Sequence, residues 1–109
     1  MAQDVEPRLR LPKTATRDEV IEIRTLITHP MESGLRRDEN GQPIPRAIID
    51  RLSVTFNGIP VIDLAIEPAI SANPYFAFQA RIPESGEFVF AWHGDDGAIH
   101  EARRRIEVV

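Results

Sequence analysis

Three histidines, the carboxylates of Glu32, Asp38, Asp95 and Asp96, and the run Arg103, Arg104, Arg105 are the side chains of this chain with the most chemistry to offer. His93 and His100 flank one turn and could approach each other, but a metal ion between them would need a further ligand at the right distance. The plainer expectation stacks His100 beside Trp92 and leaves His93 in solvent on the outer face. In a strand the three arginines point alternately to opposite faces, so they make no continuous basic patch and imply a solvated edge or carboxylate partners. Asp38-Glu39-Asn40-Gly41 lacks the spaced acidic positions and terminal glutamate of a calcium loop and reads as a solvated turn. No Gly-rich phosphate loop, His-x-x-x-His pair or serine elbow is present. With no cysteine, thiol nucleophiles, thiolate metal sites and disulfides are excluded. The reading is of a protein that is not an enzyme, with no cofactor and no catalytic or metal-ligating set.

The elements that would position these groups follow from the hydrophobic pattern. Arg8 to Leu11 alternates and stops at Pro12, and residues 14–18 offer turn chemistry. Ile21, Ile23 and Ile27 share one face of the next run. Leu52 and Val54 alternate with Arg51, Ser53 and Thr55, while Ile62, Leu64 and Ile66 alternate with Val61, Asp63 and Ala65, so these two runs form a hairpin. At its turn, a two-residue Asn57-Gly58 loop carried straight into the strands would bury Asp63. A three-residue loop, with Gly58 left-handed in a G1 bulge, pairs Val54 with Pro60 and Leu52 with Ile62 and keeps the apolar residues together. Positive φ is therefore expected at Gly58.

Phe76, Phe78, Ala80 and Ile82 alternate on one side of residues 83–86 and Phe88, Phe90 and Trp92 on the other, so a second hairpin is expected there. Asp95-Asp96-Gly97 should make a bulged turn that sets Trp92 opposite His100 and Phe90 opposite Ala102. A helical turn has room only between Glu67 and Pro74. About seven short strands with no helical period imply an all-β fold, an antiparallel sandwich of immunoglobulin type without its disulfide.

A length of 109 residues suits one domain, residues 1–109, with 1–7 as a flexible N-terminal segment. The hydrophobic content of 42% is that of a globular protein, and no apolar run approaches the ~20 residues that span a bilayer. A net charge of −4 gives no overall attraction to nucleic acid or anionic membranes. The first residues carry no basic-then-apolar leader of the usual kind.

Residues 28–46, THPMESGLRRDENGQPIPR, fit neither a strand nor a helix period. Connections longer than ~12–15 residues are uncommon in compact domains and are usually functional or disordered. Pro30, Pro43 and Pro45 restrict this one, Gly34 and Gly41 permit sharp turns, and Met31, Leu35 and Ile44 supply apolar contacts, so order is expected. Met31 beside His29 and Glu32 would form a soft, hydrogen-bonding surface suited to another chain. The plainer alternative packs Met31 and Leu35 over one end of the sandwich.

The stretch HPMESGLRRDENGQPIPRAII, followed in order by NPYFAFQARIP and FVFAWHGDDG, resembles the SoxZ family, the cysteine-free subunits of SoxYZ sulfur carriers; the likeness runs from about Arg8 to the C-terminus. The family's loop motif falls on His29, Pro30, Met31, Glu32, Gly34, Arg36, Asp38, Gly41, Ile44 and Pro45. The last hairpin departs from it, with Trp92-His93-Gly94-Asp95-Asp96-Gly97 where the family usually reads like Trp-Thr-Asp followed by a glycine.

The resemblance implies an immunoglobulin-like scaffold bound to SoxY as a heterodimer. SoxY's C-terminal arm carries thiosulfate-oxidation intermediates on a cysteine in a Gly-Gly-Cys-Gly-Gly-like segment, while other Sox enzymes make transient contacts. It also implies a periplasmic location reached by export with SoxY, and an isolated chain that can pair with itself. On this reading His29, Pro30, Met31, Glu32, Gly34, Arg36, Asp38, Tyr75, Val89 and Trp92 are partner-contact candidates, with Val89, Ala91, Tyr75 and Ala77 at an apolar centre. The competing readings are an independent ligand- or protein-binding domain of the same fold, and a small redox or metal enzyme.

Overall fold

A computed structural model describes residues 6–29, 31, 32, 34–66 and 74–109. Eight strands are present: β1 Glu6–Arg10, β2 Thr14–Ala15, β3 Glu19–Thr28, β4 Ile49–Phe56, β5 Ile59–Ala65, β6 Tyr75–Ile82, β7 Gly86–Gly94 and β8 Ile99–Val108. They form a three-stranded sheet, β1-β3-β6, and a five-stranded sheet, β2-β8-β7-β4-β5. This is the expected immunoglobulin-like sandwich. β1 begins at Glu6, inside the segment expected to be flexible. Residues 14 and 15, expected in a turn, pair in parallel with β8 through Thr14↔Glu107 and Ala15↔Val108. The helical turn expected between Glu67 and Pro74 falls on residues 67–73, outside the described part of the chain.

The core follows the period-two pattern. Ile21, Ile23 and Ile27 of β3 face Leu52 and Val54 of β4 and Phe88, Phe90 and Trp92 of β7, all buried. An aromatic row runs through it, with ring centroids 4.6 Å apart for Phe56 and Phe88, 5.9 Å for Phe88 and Phe90, and 6.1 Å for Phe90 and Trp92. The indole N–H of Trp92 is buried in this row without a hydrogen-bond partner.

Two turns test the register expectations. After Asp95-Asp96-Gly97, Trp92 stands opposite His100 and Phe90 opposite Ala102, with Gly97 at φ +90°, as expected. At Asn57-Gly58 the positive φ of Gly58 (+81°) is also as expected, but the loop and register are not. Asn57 is left-handed as well (+51°), Phe56 pairs directly with Ile59, and the turn has two residues. The pairing then shifts between Val54 and Thr55, so Val54 meets Ile62 and Leu52 meets Leu64. The extra residue needed to keep Asp63 out of the core sits inside the ladder rather than in the turn. Asn57 explains that preference. Its side-chain oxygen accepts the Glu87 N–H at 3.0 Å, tying the turn to the start of β7.

The hairpin expected around residues 83–86 does not form. β6 pairs with β3 and β7 with β4 and β8, so this connection crosses from one sheet to the other. Turn residues mark where the chain reverses; they do not distinguish two arms that pair from two arms that pack face to face.

Candidate partner-binding surface

The long connection before β4 is an irregular hairpin rather than an unstructured loop. Glu32 and Ala47 exchange backbone hydrogen bonds of 2.8 Å in both directions, and the Ile44 N–H reaches the Arg36 carbonyl at 2.9 Å. An isolated bridge joins Arg37 and Pro43. At the tip, the Asp38 carboxylate accepts the N–H groups of Asn40 and Gln42, each at 2.9 Å, and Gly41 takes φ +77°. The acidic cluster therefore closes its own turn, the solvated role expected for it.

At the base of the hairpin the expected recognition surface is reversed. Met31 is only 7% exposed and His29 8%. The His29 Nδ1 accepts the Met31 N–H at 2.9 Å, Met31 is left-handed at φ +52°, and its sulfur faces the Ile49 N–H at 3.2 Å. The pairing holds Met31 inward as a plug, consistent with the adaptability of a thioether in an irregular gap. Leu35, the other residue of the plainer packing alternative, is 88% exposed, so of the two it is Met31 that packs inward.

The turn between β7 and β8 secures the other strand of this hairpin. Asp95 forms an ion pair with Arg46 at 2.9 Å, accepts the Ile48 N–H at 3.2 Å and donates its own N–H to the Ile48 carbonyl at 3.0 Å. Burial, and secondarily the field of His100, push the His29 pKa below its ordinary value, while Asp95 and Asp96 pull it the other way. His100 thus lies close enough for its field to reach His29. His93 lies on the opposite face, its Nε2 3.0 Å from the Ser53 hydroxyl. Sequence spacing left open an approach of His93 to His100 but favoured His100 beside Trp92; the alternation of β8 against β7 gives that arrangement and separates the two histidines. Among the described residues no group of three or more His, Cys, Asp or Glu side chains is placed to hold a metal ion.

The remaining candidates scatter. Trp92 is fully buried and cannot touch a partner, because it lies on the inner face of β7. Pro30 lies outside the described residues. Glu32 and Arg36 form an ion pair, with Nε to Oε2 at 3.0 Å, that holds the carboxyl of Glu32 below its usual pKa. Gly34 at φ +89° passes close to Arg46, and Asp38 is at the tip. Tyr75 and Ala77 are on the outer face of the three-stranded sheet, whereas Val89 and Ala91 are on that of the five-stranded sheet, Val89 between Thr55 and Arg103. These four residues cannot form one apolar centre. Around Tyr75, the outer face instead gathers Arg8, Arg10 and Arg24 about a shallow depression of about 230 Å³.

Sequence reasoning missed the more continuous apolar surface. β5 and β6 end their respective sheets, and between them runs a cleft of about 470 Å³ lined by Leu52, Ile62, Leu64, Phe76 and Phe78. Ile62, Leu64, Phe76 and Phe78 face inward yet are only half-buried, while the inward residues of β3, β4 and β7 are buried. Val61, Ile59 and Tyr75 add exposed apolar surface near it. The signal was present in two strands whose inner residues are large and whose outer residues carry little charge, but the pattern gives no edge positions.

Comparison with known proteins agrees with this architecture. The family model described as sulphur oxidation protein SoxZ matches residues 9–105. No curated protein matches the chain. Among solved structures, it is similar to the superoxide reductase (neelaredoxin) from Ignicoccus hospitalis, at 19% identity and TM-score 0.68, with 94% of this chain and 80% of that one covered. It is also similar to the sulfur carrier protein SoxY from Chlorobium limicola f thiosulfatophilum, at 14% identity and TM-score 0.66, with 94% and 74% covered. A CARDB domain from Pyrococcus furiosus matches at 10% identity and TM-score 0.60, with 97% and 94% covered. At these identities the structural likenesses establish the shared sandwich fold. The match along nearly the whole sequence establishes more: the chain belongs to the SoxZ family of sulphur oxidation proteins.

Proposed function

We propose that this protein is the non-catalytic scaffold subunit of a sulfur-carrier heterodimer. Its partner is a SoxY-type subunit whose C-terminal cysteine arm carries the intermediates of thiosulfate oxidation. The observation that carries this reading is the unclosed margin between β5 and β6, where inner-face residues Ile62, Leu64, Phe76 and Phe78 stay half-exposed. A sandwich that leaves part of its own core open gains stability when another chain covers it. The projecting hairpin of residues 29–48 is the second functional surface and faces the carrier arm or incoming Sox enzymes. The pair works in the periplasm, where this subunit arrives by export with its partner.

Coexpression with a SoxY subunit and purification through a tag on either chain tests the reading. A stable one-to-one complex is expected, and the isolated chain is expected to pair with itself through the uncovered margin. A chain that stays monomeric beside SoxY sinks the scaffold role and favours an independent binding domain.

A further inference from the structure

We propose that the outer edge of β6 is the receptor strand for the partner subunit, which adds one of its own strands there and closes the cleft against β5. This rests on the reading that the partner is a SoxY-type subunit. It adds the strand that is used and the kind of segment that occupies it.

Among the described residues, the sandwich presents four terminal strands: β1, β2, β5 and β6. Natural sheets guard such edges with proline, charge, bulges or extreme shortness. β1 carries Pro7 with Arg8 and Arg10, β2 has only two residues, and β5 has Pro60, Asp63 and the register shift opposite Val54 and Thr55. β6 has none of these over Tyr75 to Ala80. It pairs with β3 without a register shift, and its charged residue, Arg81, lies near its end.

The hydrogen-bond phase gives this edge its available groups. The Ile27 N–H donates to the Pro74 carbonyl at 3.2 Å, on the same register that joins Leu26 to Tyr75 and Thr25 to Phe76. In an antiparallel ladder the bonded pairs alternate, so the backbone groups of Phe76, Phe78 and Ala80 turn toward β3. The Phe76 carbonyl accordingly also accepts the Thr25 hydroxyl at 2.9 Å. The N–H and C=O groups of Tyr75, Ala77 and Gln79 therefore point away from β3, along the open edge.

The surroundings define the occupant. The cleft wall is apolar, and the carboxylate of Asp63 on its rim is already held by Arg51 through two hydrogen bonds of 2.7 and 2.6 Å. A charged segment would find no counter-charge there, so the incoming strand is uncharged and places an apolar side chain into the cleft at every second residue. Eight residues of β6 extend only about 26 Å, a strip too narrow to supply the roughly 800 Å² per partner of a stable interface. The strand therefore belongs to a folded domain whose flanks also cover Ile59, Val61 and Tyr75, rather than to a free peptide. The similar SoxY structure shares this sandwich fold, and an open sandwich ends in edge strands able to pair in this way.

The test is amide hydrogen exchange on the wild-type chain, alone and with SoxY, combined with binding by Gln79→Pro. Proline at 79 removes an N–H that makes no bond to β3, so the fold should persist with melting within about 4 °C of wild type. The expected result is slowed exchange at Ala77 and Gln79 in the complex and at least about tenfold weaker binding by the variant. The free chain is measured diluted to the monomer, because self-pairing through the same margin would protect the same amides. A complex in which those amides exchange as in the monomeric free chain overturns the edge assignment alone, as does undiminished binding by folded Gln79→Pro. A wild-type chain that forms no complex with SoxY overturns the functional reading itself, and the proposal with it.

Discussion

His29 is the one histidine whose protonation acts directly on the hairpin base. Its Nδ1 accepts the Met31 N–H, and a proton there would turn the acceptor into a donor facing a donor. The fold lowers the pKa mainly through burial and then through His100, with Asp95 and Asp96 opposing. Because the folded pKa is depressed below the unfolded value near 6.5, the contribution to stability is present above that value. It declines as pH falls toward and through the folded pKa, because the unfolded chain takes up the proton first. Urea unfolding between pH 7.5 and pH 5, values bracketing the ordinary titration near ~6.5, should show this loss. In His29→Leu the part of the slope due to this residue should vanish, while stability at neutral pH falls by about 1 kcal/mol for the lost hydrogen bond. An unchanged slope in the variant would remove His29 as its source.

At the scale of elements, Asn57 and Gly86 form one device that holds the β4-β5 turn against the start of β7. A Cβ at Gly86 would overlap the Asn57 side-chain amide, while that amide accepts the Glu87 N–H and faces the Ser85 carbonyl. Gly86→Ala should therefore cost about 1–3 kcal/mol in an equilibrium unfolding measurement. Asn57→Gly preserves the positive φ but removes the obstruction, so Gly86→Ala should cost markedly less in that background. Additive losses would show that the two residues act separately. This device also marks what was legible in the sequence. Alternation identified the apolar faces of β3, β4, β7 and β8, and it set Trp92 opposite His100, because one wrong step would expose an entire face. It did not place the extra residue between β4 and β5, since Asn57's bond to Glu87 is made between residues distant in sequence. Nor did it reveal that β6 and β7 lie in different sheets. The hairpin of residues 29–48 was legible as ordered but not in its orientation: Met31 and His29 turn inward, while Leu35 and Arg36 remain outside. Leu35→Glu should consequently change stability by no more than about 0.5 kcal/mol. On the proposed division of surfaces, it should leave SoxY copurification intact and slow transfer from the loaded pair to a downstream Sox enzyme, followed by product formation. Loss of copurification would instead place the partner on the hairpin.

For the whole molecule, the net charge of −4 conceals two very different surfaces beside β6. On its outer side, the three-stranded sheet gathers Arg8, Arg10 and Arg24 around Tyr75; toward the cleft, it presents Phe76 and Phe78 opposite Ile62 and Leu64. The two make opposite demands on a partner. Docking on the arginine face would gain from acidic groups and weaken steeply with salt, because exposed charges are screened beyond about 8 Å at physiological ionic strength. Closing the cleft instead removes apolar surface from water, which gives a negative heat-capacity change on association and little dependence on salt. Titration calorimetry of the chain with SoxY at several temperatures, repeated across a tenfold range of salt, distinguishes them. The proposed cleft requires a clearly negative heat-capacity change and an affinity that varies by less than about threefold, equivalent to well under 1 kcal/mol. A loss of more than about tenfold with added salt would move the principal contact from the β5-β6 margin to the arginine face.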